Sequence, residues 1–357
     1  MIADFVWRDA GRTVVFRRSG VDAAIEVLRE HGVDEFELLS TQRALAGAAV
    51  LAEAASGVQE VQSGQVPAAA AALLDALSPP HDASKGVRAR PLVALGGGRV
   101  IDVAKAVASV GGQEVIAIPT TMSGAEMTGS HRLPAGAEEL ARGTVRPRLV
   151  IADPEAMTSQ PEEELRASSM NALAHGADTL YLPMCNPVSE MTALRGAGLI
   201  AGALDEAQEE RDASALALGS ILCGYAIDSA GMGLHHLVCQ TLVRLCGTPH
   251  AETNAAILPR SVELLAGRAP EVYERLANAL APHLPTGRNY PDMEGNRPVG
   301  LTGRIEELGR PRRLSEVGGD ASRLDEAIEA MLQRPELQRV PRPPDGAELR
   351  EMIERAW

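Results

Sequence analysis

Lysine is nearly absent from this 357-residue chain: only Lys85 and Lys105 interrupt a basic complement otherwise made of arginine. The formal net charge is −14, with no basic block. Such a surface repels phosphate backbones, so no nucleic-acid partner is expected. Aromatic residues make up 3% of the chain, so its cores must be built from Ala, Leu and Val. No apolar run approaches the roughly 20 residues that a membrane helix needs. Residues Met1–Arg8 lack the basic start and apolar stretch of a signal peptide, and the expectation is a cytoplasmic protein with no membrane partner. The four cysteines, Cys185, Cys223, Cys239 and Cys246, form no CxxC pair and read as small buried apolar residues.

What is present is the balance of a folded globular protein, 45% hydrophobic and 23% charged. The length suits two domains. Residues 12–17 and 35–40 read as strands, with helices over 21–31, 44–55 and 67–77. A polar stretch at 79–90 reads as a surface loop. Pro91–Leu95 is a buried strand, followed by a helix over 100–110 and a strand over 115–118. This alternation predicts a parallel, doubly wound sheet. From Asp153 onward strand signals become rare, and helical spacing covers roughly 161–183, 187–209, 213–245, 250–283 and 345–357, with a polar loop at 289–298. The expectation is an α/β domain over 1–155 and an all-helical domain over 156–357.

Gly96, Gly97 and Gly98 stand between a buried strand and a helix. Glycines there let a ligand approach the backbone, and a helix N-terminus suits a pyrophosphate. The other reading is a tight turn without a ligand. The run is not GxGxxG, so the ordinary dinucleotide fingerprint is absent. After the turn come Asp102 and Lys105, and after the next strand a loop rich in hydroxyls, with Thr120, Thr121, Ser123, Glu126, Met127 and Thr128. Such loops at the carboxyl ends of strands are where α/β sheets bind ligands.

The pattern GGGxxxDxAK followed by IPTTxSGxEMT resembles the nucleotide-binding half of the iron-containing alcohol dehydrogenases, and its EMT ending points to their maleylacetate reductase branch. The likeness continues through Asn171–His175, Gly231–His236, Thr248–Thr253, Pro341-Arg-Pro343 and Ala356-Trp357, nearly the whole chain. It implies an N-terminal nucleotide-binding α/β domain, a C-terminal helical domain and an active site between them. It also implies a nicotinamide cofactor, NAD or NADP, bound by Gly96, Gly97, Gly98, Arg99, Asp102, Thr120, Thr121 and Ser123. Arg99 departs from the family, which has a small hydroxyl residue there. Its guanidinium clamps a phosphate, fills the pyrophosphate's space or points to solvent. No acidic residue marks a ribose 2′-hydroxyl near Ser40, and Arg43 is placed to take a 2′-phosphate.

Metal-dependent relatives place Asp, His, His and His at the positions of Asn171, His175, His236 and His250, where a divalent iron or zinc polarises the substrate oxygen. An amide at 171 brings no charge to offset the cation, so a metal-free site is expected, as in maleylacetate reductases. If a metal is bound, its ligands are His175, His236 and His250. His31, His81, His131 and His283 read instead as residues with ordinary backbone partners, and His235 as facing away from its neighbour His236. One turn after His236 the family has another His; here it is Gln240, which donates a hydrogen bond but does not titrate. The proton then comes from His236, His175, Tyr225, a ribose hydroxyl or water.

The resemblance therefore implies an NAD(P)H-dependent reductase of a small acidic carbonyl or enoyl substrate, with Asn171, His175, His236, Gln240 and His250 at its centre. It also implies a homodimer, paired through the strand at Thr13–Phe16. Arg99 and Gln240 together motivate an alternative, in which the fold catalyses a non-redox dehydration, isomerisation or cyclisation. A silent binding protein ranks last.

Overall fold

A computed structural model describes residues 11–77, 89–281 and 297–357, without the side chains of 297–299. His81, Lys85, His283 and most of the two polar stretches at 79–90 and 289–298 lie outside the described residues. The chain forms two compact units that part between Gln160 and Pro161.

The first unit is a six-stranded sheet in the order β1-β6-β5-β4-β2-β3. Its strands are β1 (Thr13–Phe16), β2 (Glu37–Ser40), β3 (Gly57–Glu60), β4 (Leu92–Gly96), β5 (Val115–Pro119) and β6 (Leu149–Ala152). Every pairing is parallel, so the expected sheet is found. Its helices are α1 (Ala24–Glu30), α2 (Gln42–Leu45), α3 (Ala49–Ala54), α4 (Val66–Leu77), α5 (Gly98–Gly111) and α6 (Pro154–Met157). Strand alternation divides the core. Leu92 and Ala94 pack with α4 and α5 on one face, while Val93 and Leu95 pack with α1 and α3 on the other. At the end of the ladder Gly96 pairs with Pro119, so the segments after β4 and β5 leave the sheet side by side.

The second unit is helical, with no strand among its described residues: α7 (Glu162–Thr179), α8 (Pro187–Asp205), α9 (Ala213–Ala230), α10 (Leu234–Leu245), α11 (His250–Ala266), α12 (Pro270–Leu280), α13 (Arg297–Gly309), α14 (Leu324–Leu332) and α15 (Gly346–Glu354). Two helices expected to be continuous are broken. The span 213–245 divides at Gly231, whose φ of +87° ends α9. The span 250–283 divides between α11 and α12, around Gly267. Helix α9 corrects the expectation that no apolar segment nears membrane length: its 18 residues pass by length and composition, yet it packs as a core helix against α7 and α8. The α8–α9 contact is close because a Cβ on Gly219 would meet the Gly196 carbonyl oxygen at 2.8 Å, and the reverse is equally tight.

Candidate functional site

In the sheet unit, α5 begins without a side-chain cap at Gly97, and of its first N–H groups that of Val100 turns back to the Gly97 carbonyl at 2.9 Å. The glycines are explained by packing. A Cβ on Gly96, where φ is +156°, would meet Val100 Cγ2 at 2.7 Å. On Gly97 it would meet Thr121 Cγ2 at 3.0 Å, and on Gly98 it would meet Ser123 Cβ at 2.7 Å. The glycine turn and the hydroxyl loop, separate in sequence, are thus brought face to face. Thr120 N–H donates to the Gly96 carbonyl at 3.0 Å, and Ser123 Oγ accepts from Ala125 N–H at 3.3 Å. Gly97, Gly98, Thr120, Thr121 and Ser123 remain partly accessible, and Arg99 is exposed to solvent. Asp102 is paired to Lys105 Nζ at 2.8 Å.

Two further residues organise this loop. The Lys105 ammonium is fully buried and donates to the carbonyls of Ala125 (3.0 Å), Thr128 (3.1 Å) and Ser130 (2.9 Å), and to Thr128 Oγ1 (3.3 Å). A compact ammonium fits such an oxygen cage where a planar guanidinium does not, which explains a lysine in an arginine-rich chain. Glu126 is also fully buried, and among the described residues neither carboxyl oxygen has a partner within hydrogen-bond geometry. Burial pushes its pKa up to about 7, against the pull of its own backbone N–H and of Lys105.

In the helical unit, Asn171, His175 and Asp178 recur along one face of α7, and all are buried. Helix α10 supplies His235, His236 and Gln240. The rings of His175 and His236 stack, centroids 4.7 Å apart and planes 11° from parallel. Asp178, absent from the sequence-derived site, anchors the group. Its Oδ2 accepts from His236 Nδ1 at 2.7 Å and from the backbone N–H groups of Gly233 and His236, each at 3.2 Å. Its Oδ1 accepts from His235 N–H at 3.2 Å and from the Tyr181 hydroxyl at 3.3 Å, and that hydroxyl accepts from Leu234 N–H at 2.5 Å. Gly233 permits this approach, since a Cβ there would lie 2.1 Å from the Tyr181 oxygen. The carboxylate thus caps the positive end of α10 and fixes the His236 tautomer.

His236 Nε2 and His175 Nδ1 are buried and have no hydrogen-bond partner among the described residues. Burial holds His175 well below the usual imidazole range, with His236 adding to the effect. Burial likewise lowers His236, with His250 adding to it. His235 does not face away from its neighbour as expected: its ring meets the His236 ring edge-on, with centroids 5.0 Å apart and planes at 79°. His235 Nδ1 meets Ser261 Oγ at 3.1 Å and its Nε2 meets Asn254 Oδ1 at 2.9 Å. His31 Nδ1 bonds the Val27 carbonyl at 2.8 Å and His131 Nδ1 the Arg132 carbonyl at 3.3 Å, the backbone partners expected of them.

His250 is exposed at the first position of α11, where Asn254 Nδ2 donates to its carbonyl at 2.7 Å. The structure stacks His175 on His236, and His250 lies near enough to lower the pKa of both. As placed here, the His175 and His236 rings are not arranged to share one metal ion. An imidazole binds metal in its ring plane, and two nearly parallel stacked rings do not aim at a common point. Asn171 adds no charge, and no three His, Cys, Asp or Glu side chains among the described residues are arranged to hold a metal ion.

Comparison with known proteins agrees with the fold and the motifs. Residues 15–161 match the family described as iron-containing alcohol dehydrogenase, and residues 166–357 match the Fe-containing alcohol dehydrogenase family, C-terminal. The chain is 32% identical over 272 residues to maleylacetate reductase 1 of Rhodococcus opacus, covering 74% of this chain and 72% of the relative. It is 29% identical to the maleylacetate reductase of Rhizobium sp. (strain MTP-10005), covering 99% of this chain and 97% of that one. The crystal structure of maleylacetate reductase from Agrobacterium tumefaciens superposes with a TM-score of 0.80 at 28% identity, covering 100% of this chain and 99% of that one. The chain belongs to the iron-containing alcohol dehydrogenase family of oxidoreductases, where it resembles the maleylacetate reductases.

Proposed function

We propose that the protein is an NAD(P)H-dependent reductase of a small acidic carbonyl or enoyl substrate, working without metal. The observation that carries this reading is the uncapped start of α5, with Gly97 and Gly98 against Thr121 and Ser123. Backbone N–H groups and hydroxyls at a helix N-terminus suit a pyrophosphate. The acidic substrate is supported by the likeness to maleylacetate reductases. NAD(P)H, when bound, supplies a hydride from C4 of its nicotinamide. The helical unit must then hold the acceptor and deliver a proton. Gln240 donates an amide N–H to the substrate oxygen, and Asn171 and His175 line the same group of buried polar atoms. Asp178 keeps a proton on His236 Nδ1, which leaves Nε2 an acceptor that orients the proton donor, a ribose hydroxyl or water, since burial disfavours the imidazolium itself. A homodimer formed through β1 belongs to the same proposal: β1 is an edge strand, paired with β6 among the described residues.

Titration of the purified chain with NADH and NADPH, followed by fluorescence or calorimetry, tests the cofactor. Maleylacetate is then the first substrate to assay. Micromolar binding with nucleotide oxidation is expected, and Gly97→Asp should abolish both. Binding of neither nucleotide would overturn the proposal and leave the non-redox alternative. Metal analysis of the same sample is expected to show no stoichiometric iron or zinc, with full activity after chelation. Activity that follows metal content would remove the metal-free part.

A further inference from the structure

The amide of Gln240 stands between two partners of unequal strength. Arg334 Nη1 donates to its Oε1 at 3.1 Å, and its own Nε2 meets Met232 Sδ at 3.0 Å. A guanidinium carries only donors, so Arg334 decides which end of the amide is oxygen. The NH2 end is thereby turned toward a thioether, which is a weak acceptor. Arg334 is itself held. Glu336 accepts from its Nε at 3.3 Å and its Nη2 at 2.9 Å, a two-point clamp that leaves Nη1 for Gln240. Both residues belong to the short turn around Pro335–Arg339, which packs against α10. Gln240 lies one helical turn beyond His236, so its donors lie along the helix face that carries the stacked imidazole.

We infer that Arg334 is a positioning residue, clamped by Glu336, which locks the Gln240 amide with its N–H donors presented to the oxygen of the reacting substrate. Met232 Sδ occupies the acceptor's place until a carbonyl oxygen, a stronger acceptor, displaces it. Where the family has a titrating imidazole, this chain has an amide whose orientation is set from 94 positions away. The inference rests on the proposed reductase reading for its substrate, but the amide lock itself does not.

Two measurements on the full chain test it. The first is the side-chain 15N–1H2 resonances of Gln240, assigned by their loss in Gln240→Glu. They should show an immobilised amide in the wild type and an averaged one in Arg334→Met, with Arg334→Lys in between. Unchanged resonances in Arg334→Met would overturn the lock, whether or not the protein proves to be a reductase. The second is a double-mutant cycle on nucleotide-dependent reduction of maleylacetate, using Arg334→Met, Gln240→Leu and the pair. Arg334→Met should lower kcat roughly tenfold with KM for the nucleotide unchanged, and the pair should be no worse than Gln240→Leu alone. Additive losses with a falling Tm would make Arg334 a structural residue only. A wild type without reductase activity would end the proposed function, while the resonances would still decide the lock.

Discussion

Asp178 holds His236 at two points, accepting from its backbone N–H at 3.2 Å and its ring Nδ1 at 2.7 Å with the same carboxylate oxygen. One anion therefore fixes where the helix starts and which ring nitrogen carries the proton. Asp178→Asn would place amide hydrogens against backbone donors in a site closed to water. We expect a loss of roughly 1–3 kcal/mol in stability. Activity should fall by on the order of 10²-fold or more, because the imidazole loses its fixed tautomer. Dinucleotide affinity should not change, since the glycine turn belongs to the other unit. Denaturant unfolding, kcat and a nucleotide titration on one preparation separate these effects. Full activity in the variant would show that the tautomer does not matter.

The three glycines are required for unequal reasons, and alanine should expose the order. At Gly98 a methyl group would stand 2.7 Å from Ser123 Cβ, and at Gly96 it would meet Val100 in a backbone with φ +156°. Gly98→Ala should displace the hydroxyl loop and weaken dinucleotide binding at least tenfold, with modest destabilisation. Gly96→Ala should cost more stability, roughly 1–3 kcal/mol. At Gly47 the nearest atom to an added methyl lies 4.0 Å away, so Gly47→Ala serves as the neutral control. Equal nucleotide affinity in Gly98→Ala and Gly47→Ala would count against a phosphate site at this turn.

The sheet was legible where strands are buried on both faces. Leu92–Gly96 and Val115–Pro119 are apolar runs closed by glycine and proline, and their bounds were read within a residue or two. Edge strand β3, Gly-Val-Gln-Glu, has four residues, two of them polar, and offers no run to find. Strand β6 is apolar but only four residues long, and it follows about thirty residues that hold no strand and no helix beyond one short turn. The hydroxyl loop and the histidines could be named from their motifs. Asp178 could not, because its partners at the start of α10 lie 55 to 58 positions away and only packing brings them together. The Gln240–Arg334 contact spans 94 positions and was invisible for the same reason.

Lys105 holds the hydroxyl loop from beneath, and its removal should act on both stability and binding. Lys105→Met keeps much of the volume but strips a cation from the carbonyls of Ala125, Thr128 and Ser130 and from Asp102. Buried acceptors without a donor cost about 1–3 kcal/mol each. Because unfolding would relieve them together, we expect a total loss of several kcal/mol and a large fall in Tm. Lys105→Arg should not rescue, since the cage suits a point-like ammonium and lies fully buried. At temperatures where the variant is still folded, nucleotide affinity should fall with loop order. Wild-type stability in Lys105→Met would show that water replaces the ammonium at little cost.

Glu126 gives the sheet unit a pH dependence of definite sign. Its pKa rises from 4.5 to about 7 on folding because burial disfavours the carboxylate. The folded state therefore binds the proton more tightly, and stability contributed by this group is present below pH 4.5 and lost as pH rises toward 7. The difference corresponds to about 3 kcal/mol at most, and relaxation around the charge would reduce it. The buried imidazoles act in the opposite sense, since their lowered pKa values cost stability as pH falls below 6.5. A raw stability curve mixes the two, so the informative quantity is the difference between Glu126→Gln and wild type. The amide mimics the protonated acid, so the variant should lie closest to wild type at pH 5 and exceed it most near pH 8. Denaturant midpoints at pH 5, 6, 7 and 8 measure this, and a difference constant across that range would mean that Glu126 keeps one protonation state throughout.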